Sequence, residues 1–327
     1  MRSGISMNKL ISIPETVNRQ SHMYAKYPIL KFAGILSLVI YLITPYWLAS
    51  KYWDRIADLF SSKEQFIIVS LMVTGLTVHA STLVIYYIIY RAKLPIFEQF
   101  KDNDRPWPWE YDPEFRTKIK KALLLVGFNN LVCSPLFTYT GVYCGLLNTR
   151  VTKDELPSFP VFLTQIVFMI LCEDISFYFL HRLLHQPALY PYIHKVHHQF
   201  YDTIAISSEY AHPIEFILSN AIPVGLGTMF LCGRAHQLSF LTFLTMRLIE
   251  TVESHGGYDF PWAMTRPVPF SVSSKYHNHH HMKNIGNYGS WFVMWDAIFG
   301  TNSYYYNDLL ENDDEFSDYQ TADRKEK

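Results

Sequence analysis

Long apolar runs without a single charge set the first constraint on this chain. Phe32–Ala49 is one, and Phe66–Tyr90 is a longer one, interrupted in polarity only by His79 and hydroxyl groups. Ala122–Asn148 is a third. Leu156–Cys172 is a fourth and continues through Glu173 and Asp174 into Ile-Ser-Phe-Tyr-Phe-Leu-His-Arg-Leu-Leu-His. Phe216–Gly233 is a fifth, and a shorter run, Gln237–Met246, continues past Arg247 toward Ser254. A bilayer core about 30 Å thick takes roughly 20 helical residues. The expected fold is therefore all-α: a polytopic membrane bundle of four spans, followed by two further spans or a short helical hairpin that dips into the membrane.

Composition agrees. Only 17% of the 327 residues are charged, against roughly 25% in ordinary globular domains. A net charge of −1 gives no sign of nucleic-acid binding. No Gly-rich dinucleotide fingerprint or phosphate loop is present. The four cysteines, Cys133, Cys144, Cys172 and Cys232, lie in apolar runs with no CxxC pair, so they read as small buried side chains.

Lysine and arginine give the expected orientation. With a cytoplasmic N-terminus, Arg2, Lys9, Arg19, Lys26 and Lys31 face the cytoplasm. So do Arg91, Lys93, Lys101, Arg105, Arg116, Lys118, Lys120 and Lys121 of the 91–121 loop. Only Lys51, Arg55, Lys63, Arg150 and Lys153 face the other side. His181 then returns to the cytoplasmic side, and so does His255 after the last helical pair. The expected division is a cytoplasmic N-terminal segment (1–28, without a cleavable leader), transmembrane helices and loops (29–155), a catalytic domain (156–305) and a charged cytoplasmic tail (306–327).

The histidines carry the chemistry. Eight of the 14 fall in three motifs: His181 and His185 as HxxxH, His194, His197 and His198 as HxxHH, and His277, His280 and His281 as a second HxxHH. Spacings of three and four place imidazoles on one helix face. Imidazole suits iron, copper, zinc and nickel, and eight nitrogens exceed what one ion uses, so two ions are implied. Neutral ligands leave such a centre electrophilic, which suits O2 activation; zinc, lacking redox chemistry, would instead imply a hydrolase or a structural site. His279 points away from its neighbours on a helix. His22, His79 and His236 stand alone and read as surface residues. Glu173 and Asp174 lie two turns before His181 and are candidate catalytic-site carboxylates that accept an imidazole N–H; Arg182 is a candidate partner for one of them.

The order and spacing of these motifs resemble the fatty acid hydroxylase/sterol desaturase superfamily of membrane di-iron enzymes. The resemblance spans roughly 155–305 and, within that superfamily, is greatest to the C-4 methylsterol oxidases. It rests on 173–185, Glu-Tyr-Ala-His-Pro-Ile-Glu at 209–215, residues 247–261 with His-Gly-Gly-Tyr-Asp, and the stretch from His277 to Thr301. It implies His255 as a further metal ligand. His212 is another, either near the metals or a helix-start residue before Pro213. It also implies two iron ions, O2, a sterol substrate whose C-4 methyl group is oxidised, and electrons from cytochrome b5 with its NADH-dependent reductase. Lys195 and the 116–121 basic run are candidate docking charges. Gly256, Tyr276, Asn278 and His279 depart from the subfamily pattern and leave the substrate open. Sibling reactions on the same scaffold are the alternatives: sterol C-5 desaturation, sterol side-chain oxidation, or fatty acid or sphingolipid hydroxylation. A metal transporter is a remoter one, disfavoured because the histidines lie at segment ends and not along a pore. The terminal Arg-Lys-Glu-Lys (324–327) resembles a dilysine-type signal, which implies the endoplasmic reticulum membrane.

Overall fold

The computed structural model describes residues 28–302 and 305, the side chains of 28–31 excepted. His22, the N-terminal basic residues before 28 and the tail with its dilysine-type signal lie outside the described residues. The described residues form helices and loops, with only isolated β-bridges. The first two helices are α1 (Pro28–Ala57) and α2 (Lys63–Ala92). A π-helical segment, Asn129–Cys133, joins α3 (Phe115–Phe128) to α4 (Ser134–Tyr143). Next comes α5 (Phe159–Leu184). A short helix at Pro213–Glu215 and a second π-helical segment, Phe216–Ala221, lead into α6 (Ile222–Phe230). The chain closes with α7 (Gln237–His255), α8 (Ser274–Lys283) and α9 (Met294–Phe299).

Five helical stretches are long and apolar enough to cross a membrane: Phe32–Ala57, Lys63–Ala92, Phe115–Tyr143, Phe159–Leu184 and Pro213–Phe230. This is a multi-pass membrane protein. Apolar helices stand where each of the four spans was expected, and the fifth stretch, Pro213–Phe230, opens the expected last helical pair. The boundaries follow local chemistry. Ser62 caps α2 by accepting from the Gln65 N–H, and Lys93 ends it in the left-handed region. The proline in the first turn of α5 sits where a missing N–H costs nothing.

The helix α5 is the axis of the bundle. Its apolar window is 39% buried, against 11% for α1 at the periphery. Helix α6 crosses it closely: a Cβ on Gly227 would stand 2.7 Å from the Met169 Cα. The chain then turns at 231–236 and returns as α7, making the hairpin. One apolar core joins Trp53, Phe66 and Ile67 of α1 and α2 to Phe162 and Met169 of α5 and to Phe240 and Phe243 of α7.

Two lone histidines are not surface residues. His236 is 1% exposed and caps α7, its Nδ1 accepting from the Leu238 N–H while Nε2 faces the Thr152 carbonyl. His79 is buried within α2, with both ring nitrogens lacking a hydrogen-bond partner. Position in an apolar run concealed burial, because lipid-facing and bundle-facing residues have similar composition.

Candidate metal centre

The motifs converge at one end of the bundle. His181 lies in the last turn of α5 and His185 caps it. His194, His197 and His198 lie on a 3-10 helix, His194–Gln199. His255 ends α7, and His277, His280 and His281 lie on α8. Nine imidazoles form two groups, each with its ligand atoms within 4.8 Å of one another: His181, His185, His194, His198 and His280 in one, and His197, His255, His277 and His281 in the other.

Each HxxHH motif is shared between the groups. The i,i+4 pair His194 and His198 enters the first group, and His197 crosses to the second. In α8 the pair His277 and His281 enters the second group, and His280 crosses to the first. The motifs are thus reciprocal, which ties the two sites into one unit.

Proton positions show what the groups are suited to hold. Five Nδ1 atoms face backbone carbonyls, which can only accept, and a sixth faces a carboxylate. His181 faces the Tyr288 carbonyl, His194 the Glu215 carboxylate, His197 the Tyr210 carbonyl, His255 the Thr251 carbonyl, His280 the Gly286 carbonyl and His281 the Phe200 carbonyl. Each Nδ1 therefore donates, and each Nε2 presents a lone pair. Yet the Nε2 atoms crowd together: His181 to His194 at 3.2 Å, His198 to His194 at 3.1 Å and His255 to His197 at 3.3 Å. Two facing lone pairs, as between His181 and His194 or between His255 and His197, make no hydrogen bond, and the buried His281 Nε2 has no partner among the described residues. A cation at each focus satisfies these atoms. The residues fit two metal ions.

Burial keeps the ligands neutral. It pushes the His197 imidazole down to about 4. His185, His194, His198, His255, His277, His280 and His281 are also driven down, by burial first and by neighbouring imidazoles second. Neutral imidazole is the metal-binding form.

The carboxylates do not play the part the sequence suggested. Asp174 accepts from the Trp291 and Phe292 N–H groups and from the Trp295 indole. Asp296 accepts from the N–H groups of Tyr288 and Gly289. Together they pin the loop whose Tyr288 and Gly286 carbonyls orient His181 and His280. Glu173 accepts from Arg247 at 2.7 Å, and Arg247 also reaches Glu250 at 2.7 Å. Arg182 pairs with neither carboxylate and donates to the Tyr178 hydroxyl. The carboxylate on an imidazole is Glu215, at 2.7 Å from His194 Nδ1. It lies 21 residues from its partner, so spacing could not reveal it. His212 belongs to neither group; its Nδ1 accepts from the Ile214 N–H as a helix start. His279 also stays outside. The Tyr288 ring stands against His181, His185 and His280, with centroids 5.0–5.6 Å away.

Comparison with known proteins follows this geometry. The fatty acid hydroxylase family model matches residues 166–301. Methylsterol monooxygenase 1 of Danio rerio is 36% identical over 212 residues, 64% of this chain and 69% of that protein. A putative methylsterol monooxygenase of Dictyostelium discoideum is 42% identical over 162 residues, 49% and 58% of the two chains. The C-4 methylsterol oxidase of Schizosaccharomyces pombe is 37% identical over 162 residues, 47% and 52%. No solved structure matches. The relatives make the chain an oxidoreductase of the oxygenase class, and the two histidine groups suit a metal-dependent one. The chain belongs to the fatty acid hydroxylase family, among its methylsterol monooxygenases.

Proposed function

We propose that this protein is a non-haem di-iron monooxygenase that oxidises the C-4 methyl group of a sterol. The observation that carries the reading is the crowding of imidazole lone pairs at two adjoining foci. His181, His185, His194, His198 and His280 would hold one iron, and His197, His255, His277 and His281 the other. Two irons so held supply O2 activation and oxidation of an unactivated C–H bond. An all-imidazole set is what iron accepts and what leaves it electrophilic.

The chain's own groups prepare the site. The carbonyls of Tyr288, Tyr210, Thr251, Gly286 and Phe200 fix the tautomers, and Glu215 does so for His194. Asp174 and Asp296 keep the 286–296 loop in place. Seven of the nine imidazoles are buried and His185 and His198 are half-buried, which limits the access of bulk water and protects a reactive oxidant. Lys195 is exposed beside the buried His194, which supports docking of an acidic electron donor such as cytochrome b5, itself reduced by an NADH-dependent reductase. The proposed setting is the endoplasmic reticulum membrane, with both termini and the histidine end cytoplasmic.

The test is turnover of a 4,4-dimethyl sterol by membranes that contain the protein, cytochrome b5, its reductase and NADH. The expected products carry a hydroxymethyl or carboxyl group at C-4. Introduction of a ring double bond, or oxidation of fatty acyl chains with the sterol untouched, would overturn the reading.

A further inference from the structure

A cavity lies inside the membrane-crossing layer, and none of the nine imidazoles lines it. Its volume is about 110 Å³ and it is open on one side, room for one end of a flat lipid and less than the 300–1,000 Å³ of a closed ligand pocket. Leu71 and Gly75 of α2 form one wall and Phe240, Leu244 and Leu248 of α7 another. Both π-helical segments border it, through Asn130 of the first and Phe216, Asn220 and Ala221 of the second. Such bulges are often found at functional sites, because they widen a helix and re-aim its side chains.

The cavity points at the metal centre. Leu244 and Leu248 occupy one face of α7, and a step of seven from Leu248 reaches His255 on that face, about 10 Å further along. At the same end Glu209 lines the wall. Its neighbour Tyr210 holds His197 Nδ1, while Phe216 follows the Glu215 that holds His194.

Glu209 is the one charged residue among those lining the cavity. It is 5% exposed, and no described donor hydrogen-bonds its carboxylate. Arg247 lies near enough to feel its charge, but that guanidinium is already engaged by Glu173 and Glu250. A buried carboxylate facing an apolar cavity with spare acceptor capacity is costly unless a ligand donates to it.

We propose that this cavity is the substrate cleft and that Glu209 is its specificity residue, accepting a hydrogen bond from the hydroxyl of an otherwise apolar polycyclic lipid. The inference rests on the sterol reading above and deepens it. A sterol has one ring hydroxyl, on the carbon next to C-4. With the C-4 methyl group at the imidazole end, the hydroxyl must meet an acceptor at that same end, where Glu209 lies. The ring system then extends between the apolar faces of α2 and α7, entering sideways from the lipid.

The test is equilibrium binding of a tritiated 4-methyl sterol and of its 3-methyl ether to the purified full chain. The wild type should prefer the free hydroxyl by about 10- to 100-fold, as expected for a hydrogen bond to a charged group. Glu209→Leu should abolish the preference while leaving ether binding intact, and Glu209→Gln, which keeps an acceptor, should retain part of it. Gly75→Trp, whose added side chain has open space before it, should weaken binding of both ligands. Undiminished preference in Glu209→Leu and Glu209→Gln, or unchanged affinity in Gly75→Trp, would overturn the proposal. If those variants behave like the wild type while the wild type still oxidises the sterol, this inference fails alone. If the wild type neither binds nor oxidises the sterol, both readings fail.

Discussion

Glu215 and His194 are buried side by side, the carboxylate Oε1 2.7 Å from the imidazole Nδ1. The carboxylate fixes the tautomer that aims Nε2 at the first group and makes that nitrogen a better donor. Glu215→Ala should lower metal affinity of the first group by about 10- to 100-fold, with the second group less affected. Glu215→Gln, which still accepts through its carbonyl, should lie between. Metal content after graded chelation reads this; equal loss from both groups would count against it.

Reciprocal sharing of the two HxxHH motifs predicts unequal consequences of single ligand loss. His255→Ala leaves three imidazoles in the second group, whereas His198→Ala leaves four in the first. Both variants should lose turnover, but His255→Ala should retain about one metal per chain, and His198→Ala should come closer to two. Metal analysis with a spectroscopic count of coupled irons checks it. Identical stoichiometry in the two variants would refute the division.

Gly256 follows the ligand His255, and Tyr86 fills the space that a Cβ there would need. The Gly256 carbonyl also receives the Tyr90 hydroxyl at 2.8 Å. The departure of Gly256 from the subfamily pattern is thus accompanied by an aromatic ring of α2 over the site. Gly256→Ser should destabilise the fold by about 1–3 kcal/mol through overpacking and reduce iron retention. Pairing it with Tyr86→Phe should not restore stability, because the ring carbons come closer to that Cβ than the hydroxyl does, whereas Tyr86→Ala should restore part of it. Thermal melts of the purified protein decide this.

Burial pushes the Asp102 carboxyl up to about 7, although the Ser274 hydroxyl and Arg266 pull it down. The unfolded chain has the ordinary value near 3.8. Its contribution to stability is therefore complete below about pH 4 and lost as pH rises through about 7. Asp102→Asn should gain on the wild type between about pH 5 and pH 8, by up to on the order of 3 kcal/mol. Melting of both proteins across that range measures it; a constant difference would show that Asp102 is ionised in the folded protein.

The sequence displayed the bundle through its uncharged runs, and eight of the nine clustered imidazoles through their spacing. His255 needed resemblance, because a lone histidine after Ser254 has no spacing partner. Sharing of each HxxHH was hidden because spacing tells which imidazoles lie on one helix face, not which focus that face meets. Glu215 and Asp296 were hidden for another reason: their partners lie on other elements, and long-range hydrogen bonds leave no periodic trace. Glu173 and Asp174 were found as unusual carboxylates, but composition could not show that one holds Arg247 and the other a loop.

Metal analysis of the purified protein, coupled to sterol turnover, tests the central claim most directly. Two imidazole groups predict about two irons per chain, loss of C-4 methyl oxidation on chelation and recovery with ferrous iron. One metal per chain, or zinc supporting full activity, would contradict it.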